Sequence, residues 1–174
     1  MAAAWRVRVG SVDDLDLIGP LWVAVHHRHC ESMPELAPYV DDAETWRARR
    51  KLYEELLTKP DTLFLLALVD GAPVGYGLTH VMPVAESWIE DTWQTGGRIG
   101  EIESLSVLPE YRGSGLGSEL LDRLETHLRE RGVDDFMLGA LAGNADAIRL
   151  YQRRGYTPTW LYLSKFAGRE RDSR

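Results

Sequence analysis

Hydrophobic residues change their spacing along this chain, and each change predicts a new element. Residues 5–9 alternate apolar and basic side chains, which is typical of a strand. After Ser11, a favourable helix cap, apolar residues recur at helical spacing, but Gly19-Pro20 predicts a kink or an interruption in this helix. A second helix is predicted to begin at Asp41-Asp42 and to end before Pro60.

The middle of the chain has the spacing of β-strands. Residues 62–69 form an apolar run, and Asp70-Gly71 separates it from a second run over 73–82. An Asp-Gly pair between two such runs predicts a β-hairpin. A third long strand is predicted over 98–108.

The C-terminal part alternates helices and strands. Leucines on one side predict a helix over 115–131, and a shorter helix is predicted over 145–154. Strands are predicted over 136–141 and, at the end, over 156–166. The complete order, β-α-α-β-β-β-α-β-α-β, predicts a mixed α/β domain of the α+β type, with hairpins first and crossover helices later.

Composition narrows the class of protein. The chain has 174 residues, of which 44% are hydrophobic, and a net charge of −7. This length predicts one domain over 1–167, followed by a polar tail over 168–174 that frays. No apolar run reaches the roughly 20 residues that cross a bilayer, so we expect no membrane partner. A single cysteine fits a reducing cytoplasm, and the acidity counts against nucleic-acid binding.

A glycine-rich segment joins the third long strand to the leucine-rich helix. It reads Arg-Gly-Ser-Gly-Leu-Gly over 112–117. Glycines let the backbone approach a ligand, the helix N-terminus presents unpaired N–H groups, and Arg112 adds a charge that suits phosphate. The segment therefore predicts a phosphate site, with a plain strand–helix turn as the alternative. Ser118 departs from the dinucleotide motif, and no lysine is present for a nucleoside-triphosphate loop.

Two motifs in this part of the chain resemble one family. Residues 112–117 match the pattern Gln/Arg-x-x-Gly-x-Gly/Ala of the GNAT superfamily of acetyl-CoA-dependent N-acetyltransferases, and residues 144–156 are similar to its second signature. The resemblance implies the GNAT fold, a mixed and mostly antiparallel sheet flanked by helices, whose fourth and fifth strands splay apart around the pantetheine arm. It implies acetyl-CoA as co-substrate and no metal. The residues it implies for cofactor binding are Leu105, Ser106, Val107, Arg112, Gly113, Ser114, Gly115, Leu116, Gly117 and Asn144.

Two polar residues lie seven positions apart on the last predicted helix. Asn144 and Tyr151 are therefore expected on one helix face. From the helix alone, Asn144 is interpreted as a cap and Tyr151 as a buried aromatic residue. The resemblance instead implies that Asn144 contacts the cofactor and that Tyr151 is the general acid that protonates the departing CoA thiolate.

Two carboxylates lie in the strand before the glycine-rich segment. Glu101 and Glu103 are about 6.6 Å apart along a strand and nominally on one face, so their repulsion would raise the pKa of one of them toward the range useful for a base. The alternative is a pair of exposed carboxylates. The position of Glu101, eleven residues before Arg112, is similar to that of the base in some family members, which favours Glu101 over Glu103. A bulge in the family's fourth strand would break the simple alternation.

The resemblance implies that the acceptor is a primary amine, acetylated by direct attack in a ternary complex. Acidic residues within 31–42 and 86–91, beside Trp88 and Trp93, favour a cationic small molecule as acceptor. The alternative is an ordinary solvated acidic surface.

A cluster near the end of the first helix contains His26, His27, His29 and Cys30. Contacts with the acceptor are more plausible there than a metal site, because no second group of ligands exists elsewhere in the sequence. A catalytically silent acyl-CoA-binding sensor is the alternative to the enzyme, and a nucleotide-binding oxidoreductase is disfavoured. The resemblance also makes a homodimer possible.

Overall fold

The computed structural model describes residues 4–166, so the predicted tail over 168–174 lies outside the described residues. The described residues fall into two compact units, 4–139 and 140–166. The first unit holds one mixed sheet with helices, and the second holds a helix and an irregular segment. The single domain predicted over 1–167 stays a prediction.

The sheet has five strands, which lie side by side in the order in which they occur along the chain. The first four pair antiparallel, and the fifth pairs parallel with the fourth. The predicted hairpin is confirmed, because Asp70 and Gly71 take φ values of 49° and 83° between the second and third strands. The strands are β1 (Arg6–Val9), β2 (Leu63–Val69), β3 (Ala72–Pro83), β4 (Arg98–Val107) and β5 (Phe136–Leu138).

Residues 4–166 form four α-helices, three in the first unit and one in the second, and short 3₁₀ turns precede or follow several elements. The second helix begins where the sequence predicts, because the Asp41 side chain accepts a hydrogen bond of 2.8 Å from the backbone N–H of Glu44. The α/β class and the predicted helices are therefore confirmed. The helices are α1 (Leu15–Ser32), α2 (Asp42–Leu57), α3 (Leu116–Arg129) and α4 (Ala145–Arg153).

The two faces of the sheet are covered by different helices of the first unit. Tyr76 and Leu78 of β3 pack in a core with Leu15 and Ile18 of α1 and Tyr53 of α2. The residues between them on β3 point to the opposite face, because side chains alternate along a strand. That opposite face contacts α3.

Glycines in the sheet let α3 lie close to it. A Cβ at Gly77 would come within 2.8 Å of Leu124, and one at Gly100 within 2.5 Å of Leu128. Both distances are shorter than real Cβ contacts, so side chains at these positions would push α3 away. The sheet's α3 face is thus shaped to hold the helix that follows the glycine-rich segment.

Two sequence predictions are wrong in detail. Helix α1 continues from Leu15 to Ser32, so the interruption predicted at Gly19-Pro20 does not occur. Residues 156–166 have no regular secondary structure, so the predicted final strand is not formed. A strand needs a neighbour for its backbone hydrogen bonds, and the described sheet ends with β5.

Candidate active site

A bulge in β4 brings the two predicted carboxylates to one place. The register of β3 and β4 shifts, because Leu78 lies opposite Ser104 whereas Thr79 lies opposite Ile102. Glu103 is the extra residue of β4 at this shift. The strand therefore departs from simple alternation, and both Glu101 and Glu103 reach the same side chain of β3.

That side chain is His80, which sequence reasoning missed as part of the site. It is only 4% exposed, and its Nε2 lies 3.4 Å from Glu101 Oε2 and 3.8 Å from Glu103 Oε2. Burial disfavours a charged ring, but hydrogen bonds and charge attraction from the two carboxylates overcome it and raise the pKa of His80 to about 9. Its Nδ1 is buried and has no hydrogen-bond partner among the described residues.

A second cation, also missed, contacts only one of the carboxylates. Arg49 of α2 donates from Nη1 to Glu103 Oε1. Its guanidinium carbon lies 4.0 Å from the centroid of the Trp22 ring and 5.6 Å from that of Tyr53. The site thus holds two carboxylates and two basic side chains, from β4, β3 and α2.

A network of buried hydroxyl groups lies next to the bulge of β4. Tyr53 Oη lies 2.6 Å from Ser104 Oγ and 3.0 Å from Tyr76 Oη. Burial raises the pKa of both phenols, so they remain neutral hydrogen-bonding groups at ordinary pH. This network ties α2 to the bulged segment of β4 and keeps Arg49, one turn before Tyr53, beside Glu103.

The same residues offer donors for a metal. His80, Glu101 and Glu103 each place one possible ligand atom within 4.8 Å of the others. However, Glu103 is already paired with Arg49, which competes with a cation for that carboxylate. The expectation of no metal stays a prediction.

The glycine-rich segment has the backbone that the phosphate prediction requires. Gly113 and Gly115 take φ values of 73° and 99°, which residues with a Cβ rarely adopt. Gly115 is the N-cap of α3, and the first helical hydrogen bond joins Glu119 N–H to Gly115 O at 3.0 Å. The amides of Leu116 and Gly117 therefore lack acceptors within the helix. The Leu116 amide makes a long hydrogen bond of 3.4 Å to Ser114 Oγ, and the Gly117 amide is available to an anion.

The remaining predicted loop residues differ in how free their side chains are. Arg112 is exposed and donates from Nε to Val107 O at 3.1 Å. Ser114 Oγ donates to Tyr111 O at 2.6 Å, which braces the turn. An exposed guanidinium and a braced turn are compatible with a phosphate site.

Strand β4 also extends beyond its partner. Its pairing with β5 ends where Ile102 lies opposite Leu138, while β4 continues to Val107. Within residues 4–139, no strand pairs with this edge of β4 after Ile102. The Ser106 side chain points toward α1, where it donates to Leu21 O at 3.5 Å. Backbone groups of Leu105 and Val107 remain at the edge that the resemblance assigns to the pantetheine arm.

The second unit holds the other two predicted residues. Asn144 caps α4, because its Oδ1 accepts a hydrogen bond of 3.4 Å from Ala147 N–H. Tyr151 is half-buried with its ring 5.9 Å from that of Tyr156, and burial raises the pKa of its phenol. The cap interpretation of Asn144 is thus observed, while the cofactor contact and the acid role stay predictions.

The histidine cluster at the end of α1 does not gather around one point. His26 Nε2 lies 2.9 Å from Val40 O, whereas His27 Nε2 lies 2.8 Å from Asp42 Oδ1. Cys30 Sγ is 3.8 Å from His26 Nε2. His29 instead has its ring edge-on to Trp22, with centroids 6.2 Å apart, so this residue reaches the neighbourhood of Arg49.

The acidic residues around the expected acceptor pocket are exposed, and three of them have local partners; one is Asp91, which accepts a hydrogen bond of 2.8 Å from Thr92 Oγ1. Asp41 caps α2 and Asp42 pairs with His27. Trp88 and Trp93 contact each other edge to face, with centroids 5.8 Å apart. Within residues 4–166, no helix is both long and apolar enough to cross a bilayer.

Known proteins are similar to this chain in sequence and in fold. The chain matches the acetyltransferase (GNAT) family over residues 22–156. It is 40% identical over 94 residues to a mycothiol acetyltransferase of Thermobispora bispora, a match that covers 54% of this chain and 30% of that protein. It is 30% identical over 122 residues to an IAA acetyltransferase of Azospirillum brasilense, covering 70% of this chain and 72% of that protein. This chain thus spans less than a third of the mycothiol acetyltransferase.

A solved structure has the same fold. The crystal structure of a predicted acetyltransferase with acetyl-CoA from Clostridium acetobutylicum superposes with a TM-score of 0.69 at 20% sequence identity. The match covers 92% of this chain and 96% of that one. Since the family match extends over most of the sequence and the fold agrees, this chain belongs to the acetyltransferase (GNAT) family.

Proposed function

We propose that this chain transfers an acetyl group from acetyl-CoA to a primary amine, by direct attack of the amine in a ternary complex. The observation that carries the proposal is the layout of β4. Its bulge holds Glu101 and Glu103 beside His80, and its end leads directly into the glycine-rich turn before α3. From Glu103 to Val107 the strand rises about 13 Å, a distance that an extended pantetheine arm bridges.

The cofactor's pyrophosphate would bind at the start of α3. Amides of residues 113–117 surround the position, the dipole of a fourteen-residue helix favours an anion there, and Arg112 adds a full charge. The arm would pair with backbone groups of Leu105 and Val107, whose strand edge extends beyond β5. Asn144 would add a contact from α4.

Transfer needs a neutral amine. An amine with a pKa of about 10 costs roughly 4 kcal/mol to deprotonate at pH 7, so a base is expected. The carboxylates on the bulge would accept this proton, directly or through water. The amine nitrogen then forms a bond to the acetyl carbon as the carbon–sulfur bond breaks, and Tyr151 would donate a proton to the thiolate.

The state of Tyr151 suits that role. Burial keeps its phenol protonated at neutral pH, as a proton donor must be. Cys30 lies on α1 in contact with His26, so direct attack does not require an acyl-cysteine intermediate. A Cys30→Ala variant should therefore retain the transfer rate.

The acceptor is proposed to be a cationic small molecule. Support comes from five exposed carboxylates that form no ion pair among residues 4–166, in segments that the resemblance implies line the acceptor pocket: Glu31, Glu35, Glu86, Glu90 and Asp91. Within the site, Arg49 and protonated His80 balance the two glutamates, so selection by charge would come from the surroundings.

The test is a transfer assay on the purified chain. Acetyl-CoA is incubated with amines of positive, zero and negative net charge, while released CoA thiol and acetylated product are measured by absorbance and mass spectrometry. Arg112→Ala should weaken acetyl-CoA binding, whereas Arg123→Ala, on the exposed side of α3 beside Glu119, is the matched control. CoA binding without any acetylated amine would instead indicate a silent acyl-CoA sensor and overturn the proposal.

Two further expectations accompany this proposal. A homodimer would be recognised by sedimentation at twice the mass of the chain, and a cytoplasmic location would be tested by fractionating cells. Neither is needed for the chemistry described above.

A further inference from the structure

We infer that Arg49 is a positioning residue that keeps Glu103 as a fixed counter-charge and leaves Glu101 as the general base. The inference rests on the proposed function, and it gives a structural reason for the choice of Glu101 over Glu103 that the resemblance favours. It assigns the acceptance of the amine proton to Glu101, which lies beside the protonated His80. It assigns the pair Glu103–Arg49 to holding the bulge and its charge in place.

The guanidinium of Arg49 is held from more than one side. It donates to Glu103 Oε1 and lies 4.0 Å above the ring of Trp22. Trp22 is itself fixed, because its Nε1 donates to Thr45 Oγ1 at 3.0 Å in the interior. A planar cation that is stacked on a fixed ring and bonded to a carboxylate has little freedom to release that carboxylate.

The two glutamates differ in their cationic partners, because both lie near His80 Nε2, at 3.4 Å for Glu101 and 3.8 Å for Glu103, but only Glu103 also pairs with a guanidinium. Glu103 contacts a guanidinium, which does not give up its proton in proteins, and its side chain is 16% exposed. The nearest cation to Glu101 is the imidazole of His80 at 3.4 Å, and the Glu101 side chain is 23% exposed. The raised pKa of His80 keeps this ring protonated at neutral pH, so it acts as a charge partner and does not take up the proton. Glu101 is the carboxylate without a guanidinium partner, so it is the one left to accept the proton removed from the amine.

Charges on every neighbouring element fit this division. The groups that face the carboxylates are His80 on β3, Arg49 and Tyr53 on α2, and His29 on α1 near Trp22. Burial and the nearby Arg49 lower the pKa of His29, so this ring adds no cation at neutral pH. Burial raises the pKa of Tyr53, so this phenol remains neutral as well.

The kinetic test compares four variants in the transfer assay. Glu101→Gln should lower kcat about 100-fold or more, on the scale of general-base catalysis, and Glu103→Gln less than tenfold. Adding Arg49→Gln to Glu101→Gln should raise kcat at least fivefold above Glu101→Gln alone, because Glu103 is then released to accept the proton. Arg49→Lys in the same background is the control, since it keeps the charge and should give no such rescue.

A second measurement does not depend on turnover. The ring of His80 is titrated by NMR in the full chain. Glu101→Gln should lower its pKa more than Glu103→Gln does, and Arg49→Gln should raise it, because the freed Glu103 then bonds to the imidazole. Melting temperatures check that each variant is folded.

The outcomes of these measurements separate a failure of this inference from a failure of the proposed function. If the wild type transfers acetyl but Glu103→Gln is the more damaging variant, or if the double variant is no faster than Glu101→Gln, the inference fails while the proposed function stands. If no amine is acetylated, the proposed function fails. The His80 titrations still decide the charge arrangement, and equal shifts in the two glutamine variants refute it.

Discussion

The turn before α3 depends on a backbone conformation that only glycine adopts easily, so Gly115→Ala should strain it. Gly115 has a φ of 99°, and a Cβ there would meet no atom within 4 Å. The substitution therefore adds conformational strain without a steric clash. Left-handed backbone costs a residue with a Cβ about 1–2 kcal/mol, which for a chain of this length lowers Tm by about 2–8 °C.

Gly117→Ala is the matched control for this measurement. Gly117 lies in the first turn of α3 without a positive φ, and its Cβ would lie 3.7 Å from Val107, an ordinary contact. Alanine is favoured over glycine within helices by about 0.5–1 kcal/mol, so Tm should be unchanged or should rise. Differential scanning fluorimetry or calorimetry measures both variants. A Tm for Gly115→Ala equal to that of the wild type would refute the strain argument.

The same variant links strain to the cofactor. At a CoA concentration of 100 times Kd, binding should stabilise the wild type by about 2.7 kcal/mol. If strain in the turn weakens binding tenfold, the same CoA concentration stabilises Gly115→Ala by only about 1.4 kcal/mol. Titration calorimetry with CoA then gives the two Kd values directly. A full CoA-induced stabilisation in Gly115→Ala would remove the turn from cofactor binding.

Three other predictions address the acid, the buried histidine and a surface ion pair. Tyr151→Phe should lower kcat tenfold or more with unchanged CoA affinity, whereas Tyr162→Phe, at an exposed position of the same unit, should not; an unchanged rate for Tyr151→Phe removes it from the chemistry. The pKa of His80 is raised from 6.5 to about 9, so its charge stabilises the fold fully below pH 6.5 and this contribution is lost as pH rises through 9. Urea unfolding of the wild type should therefore lose up to about 3 kcal/mol more than His80→Gln over this range, and parallel curves would contradict the argument. Hydrogen bonds from Arg8 lower the pKa of Asp14, so Asp14→Asn should destabilise by about 1 kcal/mol at pH 7, and the difference should shrink as pH falls below 4, in acid unfolding curves.

Local signals predicted most of the fold because the elements concerned are specified by neighbouring residues. The hairpin between β2 and β3 needs positive φ at Asp70 and Gly71, and the Asp-Gly pair supplies it. Helix α3 shows its leucine stripe directly in the sequence, and those leucines are buried. The turn before α3 is marked by glycines at positions where the structure has positive φ.

Helix α1 shows where a local rule is overridden by packing. Pro20 removes one helical hydrogen bond and costs about 3 kcal/mol in a helix interior. Buried side chains lie on both sides of it, and each contributes about 1.5–3 kcal/mol, which outweighs that cost; they are Leu15, Ile18, Leu21 and Trp22. Gly19 does not break the helix but allows close approach, since a Cβ there would lie 3.2 Å from the Trp46 indole.

The segment after α4 shows the opposite case, in which the sequence predicts a strand that the structure does not form. Its aromatic and leucine residues predict a strand, yet Leu163 is 89% exposed and no strand forms. Strand propensity expresses packing against neighbouring strands and has little meaning without them. A pattern of residues alone therefore cannot tell a paired strand from an extended segment of the same composition.

In the candidate site, too, residues that are close in sequence could be predicted, whereas partners from distant parts of the chain could not all be found. Glu101 and Glu103 could be predicted because they are two residues apart in one strand, and only the resemblance favoured Glu101 over Glu103. His80 could have been found by extending the β3–β4 pairing inward from Pro83 and Arg98, which places it opposite Glu101. Arg49 could not, because it lies 54 residues before Glu103 on a helix whose packing the sequence does not specify. Since these distant partners give the two carboxylates different cationic neighbours, a substitution in α2 should change which residue of β4 accepts the proton.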